Sequence, residues 1–393
     1  MELTSHIEIH EIENNCFLVQ HKFNNKYVKM GRREAEFLQF LTTEEAAEER
    51  DRDYDGELTE PERVYLMDKF KEWGFLDSGA EADAQEAARP GKWQFNWRSS
   101  DITTIKFLTV NPDQWLNRML PLFRLLLHPA AIACYVLLIA AAGGLLIRDV
   151  HLQSAIQTAG LGMWSYAAIY GMLLLTTAIH EVAHGMVCKY YGGRVKQMGA
   201  MLFYFNLAMF CDVSDTYVFK RRRHKLAVLF AGIFSQWVMS SLGILTYYGL
   251  QGFGVDAPLL LYYGIANLGL SFINMLPLVK LDGYWMLSHG LGIANLRTKA
   301  FRAFFRMLLF WRRNGANEAQ TVAPTTARER SILVAYGFAA ALFTPCFWIW
   351  GLYNVQQRLY DWMGMASLLI TACIAGMLLY HLAKFVTTMR KPA

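Results

Sequence analysis

Residues 163–188 read MWSYAAIYGMLLLTTAIHEVAHGMVC. Crossing the hydrocarbon core of a bilayer takes about 20 predominantly apolar residues, and this run meets that length with Glu181 as its only acidic residue. His180, Glu181 and His184 sit together toward its end. Each ionisable residue in a spanning helix costs on the order of 2 to 3 kcal/mol on insertion scales. Three within five positions therefore require a compensating partner, and a bound cation is the most economical one. Two satisfied histidines beside a buried ion pair form the plainer alternative.

Further apolar runs lie at about 122–147, 226–250, 257–278, 331–353 and 364–386, which with 163–188 predicts about six spans. The shorter run from Gly199 to Phe210 cannot cross and reads as a re-entrant or edge segment buried against protein. The predicted class is a mainly α, polytopic membrane protein. Overall the 393 residues are 54% hydrophobic, but this average hides a polar first hundred residues and an apolar remainder.

Basic residues flank alternate spans. Arg118 and Arg124 precede the first, Lys220 to Arg223 with Lys225 the third, and Arg297, Lys299, Arg302, Arg306, Arg312 and Arg313 lie between the fourth and fifth. Lys384, Arg390 and Lys391 close the pattern, with Arg148 and Arg358 as exceptions. Lys and Arg mark the cytoplasmic side, so both termini are expected in the cytosol of a multi-pass cell-membrane protein, in a bacterial inner membrane. Met1 to Glu11 carries acids and histidines where a secretory signal needs basic and apolar stretches. The formal charge of +5 is explained by orientation in the bilayer, and nucleic acid is not expected as a partner. The six cysteines form no CxxC pair and read as small buried hydrophobes.

The polar start, residues 1–78, has its own pattern. Cys16 to Gln20 and Lys26 to Met30 read as strands around an Asn24-Asn25 turn. Arg32 to Leu41 reads as a helix, Thr42 with Glu45 opens a second, and Thr59 with Glu62 opens a third that buries Val64, Leu66, Met67 and Phe70. Gly74-Phe75-Leu76 returns to an extended form. This order of elements resembles the small α+β winged-helix domain of peptide chaperones used in maturing ribosomally made peptides. The resemblance implies capture of a leader peptide as an added strand against a helix; a simple stabilising cap is the alternative. Residues 79–117 read as a linker and interfacial segment, with Gly79 to Gly91 rich in Ala, Glu and Asp and with Trp93, Trp97 and Trp115 near the membrane surface.

The chemistry is expected in residues 118–295. On a helix, positions i and i+4 share a face, so His180 and His184 can reach one metal with Glu181 beside it as the proton acceptor. A catalytic zinc takes three protein ligands. Asp282 is the candidate for the third, with Pro277 ending the preceding helix and Gly283 permitting a sharp turn. His289 and Lys280 flank that turn and need no catalytic explanation, and Asp212 and Asp215 read as surface turn residues. Residues 296–393 hold a basic segment and two further spans, and the stretch Phe301 to Trp311 reads as an interfacial amphipathic helix.

His180-Glu181-x-x-His184 followed by Asn274-x-x-Pro277-x-x-x-x-Asp282-Gly283 resembles the site-2 protease family of intramembrane zinc metalloproteases, in residue type and spacing. The resemblance covers roughly residues 120–295. It implies zinc on His180, His184 and Asp282, Glu181 as catalytic acid/base, and Asn274 holding the substrate backbone. Where the family often has G-P-x-x-N, this chain has Gly232-Ile233-Phe234-Ser235-Gln236. The run Phe210-Cys211-Asp212-Val213-Ser214-Asp215 before the basic cluster resembles the peptide zinc metalloprotease branch. The expected function is a zinc metalloendopeptidase maturing a small precursor peptide near the cytosolic face. The alternatives are a regulatory protease releasing a membrane-tethered regulator and a non-catalytic peptide export or immunity protein.

Overall fold

A computed structural model describes residues 7–13, 16–21, 27–42, 58–73, 75, 94–101, 104–149, 162–203, 206–293, 295–310 and 326–390. The expected capping box at Thr42 and Glu45, the linker 79–91, Trp93, Trp311, Arg312 and Arg313 lie outside them. Two compact units, residues 1–272 and 273–393, divide within one helix.

In the first unit, β1 (Ile7–Glu13), β2 (Cys16–His21) and β3 (Tyr27–Gly31) form an antiparallel meander in that order. It is followed by α1 (Arg32–Thr42) and α2 (Glu60–Glu72). Val19, Met30, Phe37, Leu38, Phe70 and Phe75 bury together as the core of this piece. The α2 helix starts as the sequence predicts: Glu62 accepts from the Thr59 backbone N–H at 2.9 Å and from its hydroxyl at 2.8 Å. Its buried stripe is narrower than predicted. Phe70 is fully buried and Leu66 packs on the core, whereas Val64 and Met67 face outward.

A second sheet corrects two expectations. β4 (Gln94–Asp101), β5 (Thr104–Val110), β6 (Met198–Phe203) and β7 (Asn206–Cys211) pair antiparallel in that order. The region read as interfacial linker thus supplies two strands, and of the two readings of the run 199–210 the edge segment holds: its described residues lie in β6 and the edge strand β7, not in a re-entrant segment. Neither strand pair is evident locally, because β5 finds β6 only across three intervening described helices, with Thr104 opposite Phe203 and Val110 opposite Met198.

The apolar run 122–147 is two helices, α3 (Asp113–Leu126) and α4 (Pro129–Arg148). Pro129 supplies the break: it disfavours helical geometry in the residue before it, and the His128 side chain caps the new helix by accepting from the Ala130 N–H at 3.3 Å. Then come α5 (Met163–Tyr190), α6 (Arg222–Gly252) and α7 (Pro258–Met275). Asp113 ties α3 to the end of α5 by accepting from Lys189 Nζ at 2.8 Å and from the Val195 N–H at 2.9 Å.

The second unit takes up the chain at residue 273, within α7, and continues with α8 (Asp282–Leu291), α9 (Leu296–Phe310), α10 (Ala327–Met363) and α11 (Ser367–Arg390). Leu296, Ala300 and Phe301 of α9 bury against Leu333, Tyr336 and Ala340 of α10. Of the stretch expected to lie in the membrane interface, Phe301 thus packs on protein, whereas Met307 is exposed.

Among the described residues, five helices are long and apolar enough to cross a membrane: α4, α5, α6, α7 and the Ala327–Asn354 part of α10. By helix length and composition the chain is a mainly helical membrane protein. The sixth expected span, 364–386, falls on α11, where the apolar helix counted among the described residues is the shorter Gly364–Met377. Cys188 is buried and Cys211 half-buried, but Cys134, Cys346 and Cys373 are exposed on apolar helices, where a thiol needs no protein neighbour.

Candidate metal centre

His180 and His184 project from one face of α5, as their spacing dictates, and each is 4% exposed. Their rings stand at 88°, and the two Nε2 atoms face each other at 2.9 Å. His184 Nδ1 lies 2.7 Å from the Val228 carbonyl oxygen on α6. A carbonyl only accepts, so Nδ1 carries a proton, and Nε2 is the ring atom turned toward His180. A ring nitrogen anchored to a backbone carbonyl while the other points at a shared position is the arrangement of metal-ligating histidines.

Helix α6 leaves space at that position. A Cβ on Gly232 would sit 2.4 Å from His184 Nε2 and 2.6 Å from His180 Nε2, so any other residue would fill the place where an ion must go. Two nitrogens on a tetrahedral zinc, each at about 2.0–2.1 Å, stand roughly 3.3 Å apart, and the 2.9 Å seen here is within a small side-chain adjustment of it. The donor set fits a borderline-soft divalent ion.

Glu181, next to His180 on α5, is half-buried. One helical turn past His180–Glu181, Gly185 lies against Leu116, Cys211 and Met198, which brings the second sheet onto this helix. Burial, with the Glu181 charge adding to it, pushes the Cys211 thiol well above its usual range, so it packs as a neutral group.

Asp282 is the first residue of α8, where a carboxylate complements the helix N-terminus. Gly283 does not adopt a left-handed backbone; its φ is not positive. The expectation of a turn-forming glycine is corrected to one of close approach: a Cβ there would lie 2.1 Å from the Met275 carbonyl oxygen. The Tyr336 hydroxyl holds the intervening Pro277 carbonyl at 2.8 Å. His180 and His184 in the first unit and Asp282 in the second are residue types that could hold a metal ion.

Asn274 lies half-buried near the end of α7, His289 is half-buried and Lys280 is exposed. Asp212 caps the turn at Ser214 by accepting from its N–H at 3.1 Å. Asp215 is more than a turn residue: it accepts from the Tyr27 hydroxyl at 2.6 Å and from the Arg194 N–H at 2.8 Å, joining β3 to the segment that follows α5.

Gln236 is buried, and its amide donates to Asn267 Oδ1 at 3.3 Å. Sequence reasoning missed Val228, whose contribution is a backbone carbonyl, and Asn267. A fully buried amide within an apolar span was the available signal for Asn267. Neither family models, nor curated proteins, nor solved structures give a match to this chain.

Proposed function

We propose that the chain is a membrane-embedded zinc metalloprotease of the site-2 protease type, acting on a small ribosomally made precursor peptide near the cytosolic face. The carrying observation is the pair of buried Nε2 atoms 2.9 Å apart beside Gly232, with His184 Nδ1 held by the Val228 carbonyl. His180, His184 and Asp282 hold the metal in this reading.

Zinc at that position supplies a Lewis acid that makes water acidic near neutral pH and polarises a peptide carbonyl. The chain's own residues do the rest. His184 is held in one tautomer by its Nδ1–H bond to Val228. Glu181 takes the proton of the attacking water at a carboxylate oxygen and returns it to the departing amine nitrogen. Asn274 holds the substrate backbone. The buried surroundings of α5 and α6 exclude bulk water from the two imidazoles.

The substrate reading rests on the amino-terminal piece, a three-stranded sheet with its own core and two described helices, to which an extended leader peptide can add as a strand. Metal content of the purified protein, beside His180→Ala, His184→Ala and Asp282→Ala, tests the centre; cleavage of a precursor peptide by wild type and Glu181→Gln tests the chemistry. About one zinc per chain, lost in the ligand variants, and cleavage abolished in Glu181→Gln are expected. A wild-type protein without metal sinks the proposal in favour of the non-catalytic alternative. Cleavage confined to a membrane-tethered regulator turns it into a signalling protease.

A further inference from the structure

Helix α7 carries a buried polar stripe at Tyr263, Asn267 and Ser271, spaced i, i+4, i+8 on one face and 5%, 0% and 0% exposed. Its partners lie on the two helices that build the histidine pocket. The Thr176 hydroxyl donates to the Met172 carbonyl at 2.9 Å, so the Tyr263 hydroxyl is the donor in the short bond between Thr176 and Tyr263. Thr176 is one turn from His180 on α5. Asn267 Nδ2 donates to the Gln236 carbonyl at 3.0 Å and to Ser240 Oγ at 2.9 Å, while its Oδ1 accepts from Gln236 Nε2. Gln236 is one turn from Gly232 on α6. Trp237 Nε1 donates to Ser271 at 2.9 Å.

These bonds lie between apolar helices, and a shift of either helix leaves a buried polar group unsatisfied. The pocket itself depends on that register. His184 meets the Val228 carbonyl, and the imidazoles clear the α6 backbone only because Gly232 faces them.

We propose that this stripe, centred on Asn267, is a clasp that sets α5 against α6 and thereby positions the metal site, with Asn267 and Tyr263 as positioning residues that touch neither metal nor substrate. The inference rests on the metal reading above. The test is a cobalt titration of the full-length, detergent-solubilised protein, read by visible absorption, with thermal unfolding followed in parallel. In Gln236→Leu/Asn267→Leu both halves of the amide pair become apolar, so folding is expected to persist. Cobalt affinity falls about 10-fold, the lower end of outer-shell effects, and the visible band changes shape. Thr176→Val/Tyr263→Phe removes the other arm with almost no change of volume; it gives a smaller change in the same direction and serves if the first variant does not fold.

A folded variant of either kind with wild-type affinity and an unchanged band overturns the clasp while leaving the metal site standing. Wild-type protein that takes up no cobalt overturns the metal reading, and the clasp falls with it.

Discussion

Two regions of the first unit are held by hydrogen bonds of similar length, and they teach different things. Around the histidine pair, His180, His184, Thr176, Gln236, Ser240, Tyr263, Asn267 and Ser271 are at most 5% exposed, and their bonds run between apolar helices. At the junction of β3 with the segment after α5, Tyr27, Gln20, Asp215 and Lys196 meet around one carboxylate in a half-buried setting. In the seam, a displaced group has nothing to replace its partner. At the junction water can take the partner's place, so the same bond is worth less. The seam is therefore built for one geometry, and the junction for attachment.

Gly232→Ala should break the seam with the largest effect. The new methyl would stand 2.4 Å from His184 Nε2 and 2.5 Å from His180 Cε1, so both rings must turn out of the shared position. The loss of metal affinity should exceed the roughly 100-fold upper end seen for outer-shell changes. A metal titration that finds wild-type affinity in this variant would mean that the seam is as yielding as the junction, and the contrast would fail.

The contrast also explains what was legible in the sequence. His180 and His184 could be placed on one face because helical spacing fixes which residues share a face. The meander of β2 and β3 was legible from local alternation and turn residues, and the cap at Thr59 from a three-residue spacing. What stayed hidden depends on distant partners. Strand β5 takes the sequence-distant β6 as its second neighbour, and Val228 acts through a carbonyl that every residue possesses. Asp215 looks like any turn aspartate until Tyr27 arrives from 188 residues away. The helix break at Pro129 was readable in principle, yet hydropathy carries across it because the residues on both sides are apolar.

Tyr27→Phe sharpens the comparison from the junction's side. It removes the hydrogen bond to the Asp215 carboxylate and the one that Gln20 Nε2 donates to the hydroxyl at 2.9 Å, and should cost about 1 to 2 kcal/mol, since water can partly replace them. Asp215→Ala also releases the Arg194 N–H, and faster hydrogen exchange at that amide is the expected signature. Burial first, and the Asp215 hydrogen bond second, raise the Tyr27 phenol above its usual 10.0. The folded state therefore holds this proton more tightly than the unfolded chain does. The junction's contribution is full below pH 10 and is lost as pH rises beyond it toward the higher folded value. Exchange at Arg194 that ignores both substitutions would show that the junction bears no strain and only marks proximity.

The smallest effect belongs to a site with no burial to amplify it. Glu62 at the start of α2 is exposed, and its carboxyl is held below the usual range first by the Thr59 N–H and then by the Thr59 hydroxyl. Here the sign is reversed relative to Tyr27: the folded state favours the charged form, so the cap is full above pH 4.5 and fades as pH falls through the lower folded value. Hydrogen exchange of residues 58–73, corrected for intrinsic rates and compared at pH 6 and pH 3, should show fraying confined to the first turn of α2. Thr59→Ala should produce part of the same fraying at pH 6, because the backbone donor remains. If acid instead loosened the whole piece around Phe70, the cap would be bearing on the core. Exposure alone would then be a poor guide to how much a hydrogen bond matters in this molecule.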